Sequence, residues 1–199
     1  MEIEDIHTHH LRHRAIVNST PDDFDPQPGY YYSIGIHPWS SHCVTTEQLD
    51  KLDTLATHPS VIAIGETGID KLRGASLEEQ IELFRHHIHL AEKLGKPLII
   101  HTVKSFNEIL QLHRSEHPSV AWIIHGFRGN PTIAGQLIAR GIYLSYGINH
   151  NPESLATTPR THLLLETDTA TELPSVATNT YNVSQLPPQL PFQVPYLKR

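Results

Sequence analysis

The stretch PLIIHTVKSFNEILQLHRSEHPSVAWIIHGF, residues 97–127, decides the fold. It opens on a short apolar run, PLIIHTV (97–103), and closes on another, AWIIHGF (121–127). Between them Ser105 and Glu108 stand three apart, the spacing of a capping box at a helix start. An apolar run, a helix and a second apolar run make a βαβ unit, whose two strands lie parallel in one sheet. Each run also carries a histidine close behind its apolar core, His101 and His125.

The same alternation extends in both directions. Six further runs are IEDIHTH (3–9), AIVN (15–18), YYSIGIHP (31–38), VIAIGETG (61–68), IYLSYG (142–147) and HLLLETD (162–168), which makes eight. Several are continuously apolar, as strands covered on both faces are. Thr45 with Gln48 and Ser76 with Glu79 repeat the capping-box spacing. Asn130 before Pro131 reads as an N-cap with proline at the first helical position. Gly95 and Gly141 fall where helices stop. The longest helix spans about 76–94 and sets Leu77, Ile81, Phe84, Ile88 and Ala91 on one stripe. The first two connections differ. HLRHR (10–14) is too short for a helix, and STPDDFDPQPGY (19–30) reads as a loop. Residues 170–199 hold five prolines and no sustained helical period. The expected organisation is one α/β barrel over 1–169, with some helices missing, and an irregular Pro-rich tail over 170–199.

Composition narrows the function. A net charge of −6 with neutral histidines speaks against a broad basic surface for nucleic acid. It leaves a nucleic-acid substrate open, because bound divalent cations supply local positive charge. The single cysteine, Cys43, permits no intramolecular disulfide and no cysteine-based zinc site. The opening MEIEDIHTHH is acidic and polar, unlike a signal peptide, and no apolar run reaches membrane-spanning length. A cytoplasmic protein without membrane contact, monomeric or weakly oligomeric, is the expectation.

The polar residues that end the runs carry the chemistry. DIHTH ends in His7 and His9, SIGIHP contains His37, VIAIGE ends in Glu66, and LLLETD ends in Glu166 and Asp168. In a barrel of parallel strands the C-terminal strand ends converge on one mouth. His7, His9, Glu66, His101, His125 and Asp168 would therefore meet there. Buried imidazoles and carboxylates are costly without partners, and a shared cation satisfies them together. A donor set of nitrogen and oxygen alone suits Zn, Mn, Fe or Co, and Mg with less imidazole. A carboxylate among four histidines could bridge two metals, and two adjacent metals support hydrolysis.

The blocks DIHTH, GIHPW, AIGETGID, LAEKLGKPLIIH, IHGFRGNPTIAGQLIARGIYLSYG and LLLETD, in this order between residue 3 and about 169, resemble the TatD family of metal-dependent hydrolases. The resemblance implies a distorted (β/α)8 TIM barrel holding two divalent ions, Mg, Mn or Zn. It implies that His7 and His9 bind the first metal, that Glu66 bridges, and that His101 and His125 bind the second. Asp168 would bind the first metal and orient the attacking water, so Asp168 and Glu66 are the expected catalytic residues. The implied activity is a phosphodiesterase acting on DNA, of the 3′–5′ exonuclease kind. His37 matches a family histidine near the mouth, in position to contact phosphate. Asp70 matches an acidic residue that structures its loop.

Several positions depart from the family pattern. Thr102, Val103 and Lys104 follow His101 where the family has Ser-Arg-Asp, so Lys104 would replace an arginine as a point charge. Arg128 stands where a small residue is common, and either restores a phosphate contact or is simply solvated. After Asp168 the family's closing helix gives way to TATELPS and the Pro-rich tail. Glu166 is read as support for the ligands. Trp39 is read first as a packing residue, and His87 is given no chemistry. Two other readings stand beside the nuclease: hydrolysis of a small-molecule ester, amide or lactone on the same barrel, and a metal-binding homologue without catalysis.

Overall fold

The structure, a computed structural model, describes residues 3–174. Eight strands run in chain order: β1 Asp5–Thr8, β2 Ala15–Ser19, β3 Tyr31–Ile34, β4 Val61–Asp70, β5 Leu98–Val103, β6 Trp122–Ile124, β7 Tyr143–Tyr146 and β8 Leu163–Leu165. Five α-helices fill the later connections: α1 Thr46–Leu55, α2 Leu77–Leu94, α3 Phe106–Glu116, α4 Pro131–Ile138 and α5 Pro152–Thr157. Each strand pairs in parallel with its sequence neighbour, in the order β1 to β8. The sheet nearly closes on itself through Asp168. Its N–H donates to the His7 carbonyl and its carbonyl accepts from the His9 N–H, both at 2.9 Å. The result is the expected (β/α)8 barrel. No helix stands between β1 and β2 or between β2 and β3. Residues 170–174 have no regular structure, and 175–199 of the expected tail lie outside the described residues. Among the described residues no helix is long and apolar enough to cross a membrane.

Local chemistry sets the helix starts. Thr45 with Gln48 and Ser76 with Glu79 form complete capping boxes on α1 and α2. The Asn130 side chain accepts from the Ile133 N–H with Pro131 at the first helical position. The box expected at Ser105 and Glu108 is absent. Ser105 has φ −129° and ψ 19°, outside the extended backbone an N-cap needs. Its buried hydroxyl instead donates to the Ile69 carbonyl at 2.7 Å and meets the Thr102 hydroxyl at 2.8 Å. Ser105 thus stitches the ends of β4 and β5 together, and Glu108 pairs with Lys71.

The core has two parts. A large cluster joins the outer strand faces to the helices, with Phe84, Ile88 and Ala91 of α2 against Ile64, Leu98, Ile100, Trp122 and Ile124. A smaller cluster comes almost wholly from strands: Ile6, Ile16, Ala63, Ile99, Ile123 and Leu164, with Ile3. Successive side chains alternate across a strand. His101 lies two residues beyond Ile99, His125 two beyond Ile123, and Glu166 two beyond Leu164. The apolar cluster is therefore the floor on which the polar mouth stands.

Candidate metal centre

Glu66 lies at the middle of the mouth. It sits far along the ten-residue β4, the longest strand, and its side chain is 5% exposed. Its two oxygens face different partners. Oε2 lies 3.4 Å from His7 Nε2 and 3.8 Å from His9 Nε2. Oε1 lies 3.1 Å from His37 Nε2, 2.9 Å from His101 Nδ1 and 2.8 Å from His125 Nε2. Asp168 completes the first side, with Oδ1 3.8 Å from His7 Nε2 and 3.5 Å from His9 Nε2. All six residues expected to bind metal meet at one place, and His37 joins them. His37 Nε2 is as close to Glu66 as the expected ligands are, so it belongs to the donor cluster as well as to the rim.

The electrostatics follow from this crowding. Burial by itself would raise the Glu66 carboxyl, but the facing His125, His101 and His37 hold it well below the usual carboxylate range. Burial disfavours the charged form of His125. The carboxylates of Glu66 and Glu166 outweigh that and raise it well above the usual imidazole range. Burial and the neighbouring His7 lower His9. His7 is the exception to the pairing. Both its ring nitrogens are buried and neither has a hydrogen-bond partner. An unpaired buried polar atom costs about 1–3 kcal/mol. A divalent cation coordinated by imidazole and carboxylate would remove that cost at Nε2, the nitrogen that faces Glu66 and Asp168, so the residues present fit a metal.

Several groups hold the cluster in place. Asn18, at the end of β2, accepts from the Glu66 N–H at 3.0 Å and directs its amide nitrogen to Glu66 Oε2 at 3.5 Å. Asp5 lies buried below His7. It accepts from the Thr167 N–H at 3.0 Å and the Thr167 hydroxyl at 2.7 Å, which ties β1 to the segment carrying Asp168. Glu166 accepts from the Gly126 N–H at 2.7 Å and lies 3.4 Å from His125 Nδ1, as its supporting role requires. Asp70 accepts from the Leu72 N–H at 2.8 Å and lies 3.4 Å from His101 Nε2, so it both shapes its loop and orients His101. The expected strand 162–168 stops at Leu165, and Asp168 takes φ +54° beyond it. Asp168 is therefore aimed by the barrel seam and not by strand alternation.

Sequence reasoning passed over Asn18 and Asp5. Asn18 ends the run AIVN as His125 ends WIIH, and the rule that singled out the histidines applies to it equally. Asp5 precedes His7 by two on the same strand and carries no separate sequence signal. The two remaining expected residues lie at the rim. Arg128 is exposed and borders a cavity of about 60 Å³ that His150, Glu166 and Asp168 also line. Lys104 is exposed in the turn after β5, with φ +53°.

The model of the family described as "TatD related DNase" matches residues 21–189. That span contains His37, Glu66, His101, His125 and Asp168 and begins after His7 and His9. Among curated proteins, the chain is similar to the uncharacterized metal-dependent hydrolase TatD of Mycobacterium tuberculosis. The two are 32% identical over 151 residues, covering 69% of this chain and 57% of that one. It is also 33% identical over 163 residues to the 3′-5′ ssDNA/RNA exonuclease TatD of Pantoea vagans, covering 75% and 62%. These alignments cover little more than half the length of either relative. The TatD homologue YJJV of Escherichia coli has the same fold, with a TM-score of 0.66 at 24% identity over 77% of this chain and 66% of that one. A TatD family hydrolase of Entamoeba histolytica gives a TM-score of 0.69 at 24% identity, covering 77% and 59%.

Proposed function

The chain belongs to the TatD-related family of metal-dependent hydrolases, and from that premise we propose that it is a phosphodiesterase that shortens DNA from the 3′ end. The observation that carries the reading is the division of Glu66, one oxygen toward His7 and His9 and the other toward His37, His101 and His125. A carboxylate placed in this way is built to be shared. His7, His9, Glu66 and Asp168 would hold one divalent cation, and Glu66, His101 and His125 a second. The chemistry such ions would supply when bound is polarisation of a phosphoryl oxygen and acidification of a water.

The protein residues then do the remaining work. Asp168 is the open carboxylate of the pair, its side chain 32% exposed against 5% for Glu66. It is the group that orients the attacking water and accepts its proton. The apolar strand floor excludes water from beneath the cluster. His37, at the rim, would contact the phosphate, and Arg128, which lines the same cavity as Asp168, would add positive charge. The cavity at Asp168 is lined by Arg128, Asn149 and His150 as well as by Phe127 and Ile148. The guanidinium of Arg128 there favours a charged phosphodiester over an apolar ester or lactone. The similarity to a protein named as a 3′-5′ ssDNA/RNA exonuclease supports the same choice.

The test is cleavage of 5′-end-labelled single-stranded DNA with Mg or Mn, with EDTA, and by the Glu66→Ala variant. Stepwise shortening that needs metal and is lost in the variant is the expected result. No cleavage by folded, metal-loaded protein would overturn the proposal.

A further inference from the structure

Trp39 stands beside the donor cluster and offers it no metal-binding atom, touching it only through His37 and Asp70. The chain has two tryptophans. Trp122 is 1% exposed in the core, whereas Trp39 is 44% exposed. Its ring centroid lies 4.7 Å from that of His37 and 5.9 Å from that of His101. Its indole N–H donates to Asp70 Oδ2 at 2.6 Å, and its backbone N–H to His37 Nδ1 at 3.1 Å. The guanidinium of Arg73 lies over the ring, 4.4 Å from its centroid.

The loop that carries Arg73 is fastened down. The two N–H groups of Gln80 Nε2 are shared among the carbonyls of Asp70, Arg73 and Ala75, at 3.0, 2.9 and 2.9 Å. The Ala75 N–H donates to Ser41 Oγ at 2.8 Å. Gly74, at φ +90°, approaches Pro38 so closely that a Cβ would meet the Pro38 carbonyl oxygen at 2.2 Å. The indole and the loop backbone that carries Arg73 are therefore set in position before any substrate arrives, and Trp39 is 44% exposed with Arg73 in place.

We propose that Trp39 and Arg73 form a stacking platform for one unpaired nucleobase next to the bond that is cut, which restricts the enzyme to single-stranded ends. The proposal rests on the nuclease reading and names what that site selects. Phosphate recognition needs charge and hydrogen bonds but no exposed indole. A flat ring with a guanidinium over one face accepts any base by its remaining π-surface, so selection is for strandedness and not for sequence. In a duplex the base faces are covered by their neighbours, and such a platform has nothing to receive.

The experiment compares three substrates: a short single-stranded oligothymidylate, the same strand with abasic sites in its last two positions, and a blunt duplex. Tryptophan emission is read on rapid mixing, and KM and kcat are read for wild type, Trp39→Phe, Trp39→Leu and Arg73→Ala. The oligothymidylate is expected to quench emission and the abasic strand is not. Trp39→Leu raises KM for the oligothymidylate about 10-fold or more and leaves KM for the abasic strand in place. Trp39→Phe keeps a ring, loses the bond to Asp70, and retains the preference for a base. Arg73 is an exposed loop residue whose replacement leaves the fold intact, and Arg73→Ala weakens the preference a few-fold. Equal KM for the base-bearing and abasic strands in wild type overturns the platform and leaves the nuclease reading standing. A fall in kcat alone in Trp39→Leu, with the preference for a base preserved, also overturns it and assigns Trp39 to positioning Asp70. Failure to cleave any of the three overturns both proposals.

Discussion

His7 and Glu66 meet Nε2 to Oε2 at 3.4 Å, and both side chains lie inside the barrel. The two residues come from β1 and β4, strands that are not neighbours in the sheet. Glu66 satisfies its other oxygen through three histidines, whereas His7 satisfies neither ring nitrogen. The contact is therefore unequal. Removing Glu66 would leave five imidazoles around an empty centre, and removing His7 would leave Glu66 with most of its partners.

Metal should stabilise the chain through this centre. A ligand at 100 times its Kd adds about 2.7 kcal/mol to the folded state. For a protein of this size each kcal/mol moves Tm by about 2–4 °C. Saturating Mn is therefore expected to raise Tm by about 5–10 °C over EDTA. Glu66→Gln, which keeps the shape and removes the charge, should lose most of that shift. Differential scanning fluorimetry reads both numbers. An undiminished shift in the variant would place the metal elsewhere.

Asn18 offers a test of positioning. It holds the Glu66 backbone at 3.0 Å and lies 3.5 Å from Glu66 Oε2. Groups that orient a metal ligand typically contribute 10–100-fold to activity or affinity. Asn18→Ala should lower kcat by that factor and lower metal affinity in isothermal titration, with a stability loss of about 1 kcal/mol. Wild-type kcat in Asn18→Ala would show that β4 alone fixes Glu66.

The eight strands were legible because each is a short apolar run, and the residues of the donor cluster were legible because each follows such a run. His101 and His125 are the clearest examples. Asp168 was found by the same rule for a different physical reason, since it lies three residues past the end of β8 and is aimed by its backbone bonds to His7 and His9. The Ser105 cap was misread because spacing carries no information about φ and ψ, and the hydroxyl found a better partner on β4. Trp39 and Arg73 lie 34 residues apart, and nothing in either segment alone announces their contact. Distant pairs of this kind depend on how two loops pack, which periodicity does not encode.

Two glycine replacements should act in opposite directions. Gly68, at φ +137°, lies between Glu66 and Asp70, and a Cβ there would meet the His101 carbonyl oxygen at 2.1 Å. The obstacle is the His101 backbone, which cannot swing aside as a flexible side chain could, so Gly68→Ala should cost more than about 3 kcal/mol and scatter Glu66 from His101. Gly135 lies within α4 with nothing within 4 Å of its missing Cβ. Gly135→Ala should stabilise by about 0.5–1 kcal/mol, the helix penalty of glycine. Urea unfolding monitored by circular dichroism measures both. A mild effect at Gly68 would mean that β4 and β5 are not in close contact at the mouth.

His87 should make the fold acid-sensitive independently of any metal. It is fully buried on α2, where Nδ1–H donates to the Leu83 carbonyl at 2.8 Å and Nε2 accepts from the Ile36 N–H at 3.0 Å. A proton on Nε2 would oppose one N–H to another. Burial, only partly offset by the Leu83 carbonyl and Asp53 and reinforced by His86, lowers its pKa from 6.5 to about 4. The unfolded chain thus binds a proton at His87 that the folded chain refuses between pH 6.5 and about 4. Stability is untouched above that window, falls as pH drops through it, and levels off below, for a total of about 3 kcal/mol. His87→Gln removes the titration, whatever it costs at neutral pH. Its unfolding free energy, measured in urea at pH 7.5 and at pH 5, should fall less between the two than that of wild type, by about 1.4 kcal/mol for each pH unit inside the window. Parallel losses in the two proteins would show that His87 titrates normally.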